Sequence, residues 1–220
     1  MDNLNRHIEH TLLNPSATAK DFDLFIEEVI DHKFIGCCVP PFWVKKVSRD
    51  LTDFDIQVVT VIGFPFGFHM TETKLEEINI AINNGADELD VVMNISAFKS
   101  GMGWAKIELA KCSKLIHDSA KQMKVIIETA YLSRDEIIAA ANLAKDAGAD
   151  FIKTSTGFAS RGATIEDVKL LREILPSSVG IKASGGINTR EQALQFIEAG
   201  ADRIGTSSGP ILLLHHDQES

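Results

Sequence analysis

Short apolar runs alternate with amphipathic stretches from one end of the chain to the other. Eight of these runs read as strands, at 7–13, 34–39, 57–63, 88–94, 124–129, 151–155, 180–184 and 203–207. Their apolar character is nearly continuous, which marks strands covered on both faces, as in parallel sheets. Seven helical patterns fall between the strands, among them 20–33, 71–84, 133–147 and 189–199. Ser133 with Glu136, and Thr189 with Gln192, have the spacing of capping boxes.

A Gly-Ala-Asp tripeptide recurs at 85–87, 148–150 and 200–202, each time after a helical pattern and before a strand. Glycine suits the left-handed position that ends a helix. Repetition of helix stop, turn and strand start is the pattern of parallel β/α units. Eight such units predict a single-domain (β/α)8 barrel over residues 1–220, with a short tail after 209 and a last helical turn at 211–214. An open doubly wound sheet is the alternative, weakened because no G-x-G-x-x-G follows an early strand. No Pro/Ser/Gly-rich linker divides the chain.

Composition narrows the partners. With 22 Lys and Arg against 31 Asp and Glu, the formal net charge is -9, which argues against nucleic-acid backbones and anionic membranes. Residues 1–10 lack the apolar core of a signal peptide, and no apolar run is long enough to cross a bilayer. Three cysteines, two of them adjacent at Cys37 and Cys38, fit a reducing, cytoplasmic compartment. The histidines at 7, 10, 32, 69, 117, 215 and 216 are scattered, although His7 and His10 could share a helical face, and no metal site is expected.

Two lysines stand out against this background. Lys153 in F-I-K-T-S-T-G-F and Lys182 in G-I-K-A-S-G-G-I each sit alone in an apolar run that ends in small residues. Buried ammonium groups are costly without a partner. Strand alternation puts Lys153 on one face with Phe151 and Ser155, Lys182 with Ser184, and Asp90 with Glu88 and Val92. The barrel interior would bring Lys153, Lys182 and Asp90 together. A buried structural ion network is one reading of that set. The other is covalent chemistry: neighbouring cations disfavour each other's charging, and a neutral amine can attack a carbonyl to form a Schiff base. The carboxylate and the second ammonium can then move protons.

In such barrels the reacting groups lie at the C-terminal ends of the strands. Gly185 and Gly186 follow the seventh strand, and Gly205, Thr206, Ser207, Ser208 and Gly209 close the eighth. Backbone N–H groups in these turns, with one from Gly157, suit a phosphate group. Other features read more plainly. Cys37 and Cys38 read as core or cavity lining, Phe64, Phe66 and Phe68 as a cap on the barrel, and Lys45, Lys46 and Arg49 as a solvated helix face.

At these residues the chain resembles the deoxyribose-phosphate aldolases, class I aldolases of the (β/α)8 type. The similarity runs through I-E-H-T-L-L-N-P at 8–15, T-V-I-G-F-P at 60–65, N-G-A-D-E-L-D-V-V at 84–92, V-I-I-E-T at 125–129, D-F-I-K-T-S-T-G-F at 150–158, R-G-A-T at 161–164, I-K-A-S-G-G-I at 181–187 and R-I-G-T-S-S-G at 203–209. The resemblance implies reversible cleavage of 2-deoxy-D-ribose 5-phosphate to acetaldehyde and D-glyceraldehyde 3-phosphate, in deoxyribose phosphate catabolism and without cofactor or metal. It implies Lys153 as the Schiff-base lysine, Lys182 as the lysine that perturbs it and joins the proton relay, and Asp90 as proton donor and acceptor. Gly157, Gly185, Gly186, Gly205, Ser207 and Ser208 fall on phosphate-binding loops, and a homodimer is expected. The chain departs from many members at Glu9, where Asp is frequent, at Asn188 in place of Arg, at Asn14 in place of Lys, and in lacking a terminal Tyr. A catalytically weak sugar-phosphate-binding barrel would keep the glycine turns and lose the relay, and a Schiff-base lyase of keto acid phosphates would want further cations.

Overall fold

The computed structural model describes residues 3–214. Its eight strands are β1 (Ile8–Thr11), β2 (Gly36–Val39), β3 (Gln57–Ile62), β4 (Glu88–Val92), β5 (Gln122–Ile126), β6 (Phe151–Lys153), β7 (Gly180–Ser184) and β8 (Arg203–Thr206). All pair in parallel with their sequence neighbours, and β8 returns to β1 to close the barrel. The doubly wound alternative is thereby excluded.

Every strand-to-strand connection carries a helix. These are α1 (Ala19–Asp31), α2 (Val44–Asp50), α3 (Thr71–Asn83), α4 (Ile95–Lys99) followed by α5 (Trp104–Asp118), α6 (Arg134–Asp146), α7 (Ile165–Ile174) and α8 (Arg190–Glu198). A five-residue α9 (Gly209–Leu213) follows β8. Thus α4 is additional to the seven between-strand patterns, the stretch after 209 begins with α9, close to the helical turn expected at 211–214, and the rest of the expected tail, beyond 214, lies outside the described residues. Both anticipated capping boxes form, at Ser133 and Thr189, and a third forms at Thr18 with Asp21. The short Asp does there what Glu or Gln does elsewhere.

The three Gly-Ala-Asp turns do more than stop helices. Gly85, Gly148 and Gly200 have φ of 100°, 97° and 111°, a region open to glycine. Each following aspartate then clamps the preceding strand. Asp87 Oδ2 accepts from Val58 N at 3.0 Å, Asp150 Oδ2 from Met123 N at 2.7 Å, and Asp202 Oδ2 from Ile181 N at 2.8 Å. The same aspartates donate their own N–H back to the carbonyls of Val58, Met123 and Ile181. These clamps sit at the N-terminal end of the barrel, the end that serves stability.

Most of the apolar core lies between the barrel and its helices, from Leu4 and Ile8 round to Ile204 and Leu212. Alternation sends Cys37 outward into that core and Cys38 inward, where it packs with Val59 and Val61, with Leu13 and Phe64 against them. Phe66 and Phe68 do not cap the barrel. They stack on each other with ring centroids 5.4 Å apart and are 52% and 64% exposed. His7 and His10 share no helical face: His10 lies in β1, buried, stacked on Phe25 and bonded to Glu28 Oε2. Among the described residues no helix is long and apolar enough to cross a membrane.

Candidate active site

β1, β4, β5, β6, β7 and β8 each send at least one charged side chain into the barrel. Lys153 and Lys182 are register partners on β6 and β7. Lys153 Nζ and Lys182 Nζ each donate to the same oxygen, Asp90 Oδ2, at 2.8 Å. Lys182 also donates to Glu9 Oε2. The structure therefore brings the three expected residues together and adds a fourth side chain, Glu9.

A further lysine, unremarked in the sequence, completes the cluster. Lys124 of β5 pairs with Glu88, and its Nζ is 3.2 Å from Asp90 Oδ1 and 3.5 Å from Glu9 Oε1. Below it Arg203 lies 3.6 Å from Glu88 Oε1, with the Phe151 ring packed against both cations. Lys124 stands in Q-M-K-V-I, an apolar run of the same kind as the other two. Its isolation there was the available signal.

These contacts set the charge states. Burial pushes the Asp90 carboxyl up, but Lys124, Lys153 and Lys182 outweigh it and hold Asp90 well below the usual carboxylate range. Burial likewise raises Glu9, and Lys124 and Lys182 bring it below its ordinary value. For Lys182 burial acts downward, and Asp90 and Glu9 reverse it, so this ammonium is held above the ordinary lysine value. Burial raises the Cys38 thiol, which keeps it protonated and a weak nucleophile.

Lys153 is the last residue of β6, and past it the strand becomes a turn. A cavity of about 300 Å³ opens at that point, lined by Lys153 together with Gly157, Gly185, Gly186, Gly205 and Ser207. Asn14 and Asn188 also line it, and Phe158, edge-on to Phe64 at 5.3 Å, forms an apolar wall. Lys182 and Asp90 are fully buried behind it. Of the six expected phosphate-loop residues only Ser208 is not in the lining: its hydroxyl is turned to Asn188 Oδ1 at 3.2 Å.

Local packing fixes the turns around the cavity. The turn after β6 is stitched to β7 by Ser184 Oγ donating to Ser155 O at 2.7 Å and by Ala163 N donating to Ser184 O at 3.0 Å. Gly162 lies so close to Gly185 that a Cβ on it would fall 2.0 Å from the Gly185 carbonyl oxygen. Gly205 has an inward role instead: a Cβ there would lie 3.0 Å from Lys182 Cε. Among the described residues no three His, Cys, Asp or Glu side chains converge as a metal site. The arrangement offers an amine at the floor of a cavity, a carboxylate shared with a second amine held above the ordinary lysine value, and glycine turns at the rim.

Residues 6–214 match the family described as DeoC/LacD family aldolase. The chain is 49% identical over 207 residues to a deoxyribose-phosphate aldolase of Thermococcus gammatolerans, covering 93% of this chain and 92% of that protein. It is 46% identical over 208 residues to one of Brevibacillus brevis, covering 94% and 93%. Among solved structures, the tetrameric deoxyribose phosphate aldolase of Aeropyrum pernix superposes with a TM-score of 0.89 at 33% identity, over 96% of this chain and 89% of that one.

Proposed function

The chain belongs to the DeoC/LacD family of aldolases, and we propose that it reversibly cleaves 2-deoxy-D-ribose 5-phosphate to acetaldehyde and D-glyceraldehyde 3-phosphate through a Schiff base on Lys153. The observation that carries this reading is the position of Lys153. It alone among the interior cations lines the cavity, and its amine touches the Asp90 oxygen that Lys182 also holds. The interior gathers four cations, Lys124, Lys153, Lys182 and Arg203, around three carboxylates, Glu9, Glu88 and Asp90. The interior cations outnumber the carboxylates by one, and the amine that reaches the cavity is that of Lys153.

In its unprotonated form the Lys153 amine adds to C1 of the open-chain sugar, and uptake of a proton with loss of one water gives a protonated imine. The C3 hydroxyl gives up its proton, the C2–C3 bond breaks, and its electron pair moves into the imine to form an enamine. Glyceraldehyde 3-phosphate leaves with a new C3 carbonyl. Protonation of the enamine at C2 and addition of one water release acetaldehyde and restore the amine. Asp90 and Lys182 take and return these protons. Gly157, Gly185, Gly186, Gly205 and Ser207 hold the phosphate, with Ser208 positioning Asn188 at the rim.

The same reading makes the protein a cytoplasmic enzyme of deoxyribose phosphate breakdown. It also makes it a homodimer, for which the exposed apolar residues Phe66, Phe68 and Met70 offer a surface. Turnover of deoxyribose 5-phosphate, followed by coupled oxidation of a nicotinamide cofactor, tests the activity. Absence of turnover would leave the weak sugar-phosphate-binding barrel in its place. Light scattering that shows a monomer would remove the dimer.

A further inference from the structure

The turn after β6 is held by a side chain that the amine chemistry does not use. Glu128, two residues beyond β5, has φ 49° and ψ 74°, a left-handed backbone uncommon outside Gly, Asn and Asp. It is buried. Its Oε2 accepts from Thr156 N at 3.1 Å and also from the Thr156 hydroxyl. Thr156 Oγ1 accepts in turn from Phe158 N at 3.1 Å. Thr156 and Phe158 are thus tied, directly and through one hydroxyl, to a single buried carboxylate.

Gly157 lies between these two anchored residues. Its N–H donates to no group among the described residues, its φ is 87°, and a Cβ on it would meet nothing within 4 Å. It lines the cavity that Lys153 enters. The arrangement is costly on its own terms. The left-handed backbone at Glu128 is strained, and its Oε1 is buried without a hydrogen-bond partner among the described residues. Strain and an orphaned polar atom of this kind persist where the surrounding structure gains by them.

We propose that Glu128 is a positioning residue that fixes the Thr156–Gly157–Phe158 turn so that the Gly157 N–H meets the anionic end of the substrate. It acts through Thr156 and does not touch the reacting atoms. The inference rests on the reading of the glycine turns as the phosphate site.

The test compares wild type with Glu128→Ala and Glu128→Gln on deoxyribose 5-phosphate and on unphosphorylated 2-deoxyribose, with inorganic phosphate as inhibitor. Glu128→Ala is expected to raise KM for the sugar phosphate and the inhibition constant of phosphate together, by about fivefold or more, the equivalent of one lost hydrogen bond to an anion. The change in kcat is expected to be much smaller, and KM for unphosphorylated deoxyribose to stay put. Glu128→Gln retains the acceptor and is expected to restore both constants. Thr156→Val breaks the same link should the alanine variant not fold. Unchanged phosphate constants in Glu128→Ala, an equal rise in KM for both sugars, or a glutamine variant as impaired as alanine would each overturn the proposal. Calorimetric binding of inorganic phosphate to wild type and variant separates the two ideas. If wild type binds phosphate but turns over no sugar, the aldolase assignment fails while the Glu128 comparison still reads.

Discussion

Lys153 and Lys182 face each other as register partners on adjacent strands, and their amines meet on one oxygen, Asp90 Oδ2, at 2.8 Å each. The two differ in what else they touch. Lys182 also has Glu9 and is sealed from solvent, whereas Lys153 has the cavity. On the proposed reading, that asymmetry separates the relay lysine from the nucleophile.

Removing the Lys182 ammonium is therefore expected to cost both rate and stability. Lys182→Met leaves Glu9 and Asp90 with less compensation in a dry interior. We expect kcat to fall by about 10²–10⁴, the usual weight of a proton-transfer group. Urea unfolding should show a loss of about 3–5 kcal/mol, the cost of breaking a buried pair from one side. A variant with wild-type kcat would contradict the relay.

Acid stability follows from the carboxylates. Glu9 and Asp90 are held below their ordinary values in the folded protein. A depressed folded value contributes stability that is present above the unfolded value, about 4, and is lost as pH falls through the folded value. The fold should therefore hold its full stability at pH 5 and lose it progressively below about pH 4. Lys124 and Lys182 are raised, so their contribution is complete below the ordinary lysine value, about 10.4, and is lost only as pH rises through the folded values. Denaturant midpoints measured from about pH 2 to 10 check the acid limb and the plateau above it. In Asp90→Asn the acid limb should be shallower.

Gly162→Ala tests the packing of the cavity turns. The added methyl would press on the Gly185 carbonyl oxygen, which is part of the backbone and cannot swing away. A loss of about 1–3 kcal/mol is expected, with a raised KM for the sugar phosphate. Gly101→Ala is the contrast, because its Cβ position is empty and only its φ of 67° is strained. It should cost about 1–2 kcal/mol and leave KM unchanged.

Much of this molecule is written openly in its sequence. The Gly-Ala-Asp turns announce helix ends because a left-handed residue is needed there, and all three glycines adopt positive φ. Lys153, Lys182 and Asp90 could be placed together because strand alternation leaves them no other paired environment. The long-range partners were harder. Lys74 of α3 looks like a surface helix lysine, yet it is buried, 2.5 Å from Glu108 Oε1 on α5. Only the packing of the two helices makes that pair. Glu128 carries no local signal, since its role depends on Thr156, 28 residues away. Phe66 and Phe68 follow a strand pattern past the end of β3, where the chain has already turned outward.

Asn188 offers a gain-of-function test. It lines the cavity where many members of the resembling family carry Arg, and its Oδ1 is engaged by Ser208. Asn188→Arg would add a cation to the cavity rim, beside the proposed phosphate site. A hydrogen bond to a charged group is worth about 1.5–3 kcal/mol, so KM for deoxyribose 5-phosphate should drop roughly tenfold and become salt-dependent. An unchanged KM would place the phosphate elsewhere.

The most direct measurement is covalent. Incubation with acetaldehyde and borohydride should reduce the imine and leave a stable ethyl adduct. Peptide mass mapping is expected to find it on Lys153, with none in Lys153→Ala. An adduct on Lys182 or Lys124, or trapping and sugar-phosphate cleavage that persist in Lys153→Ala, would contradict the assignment of Lys153 as the nucleophile.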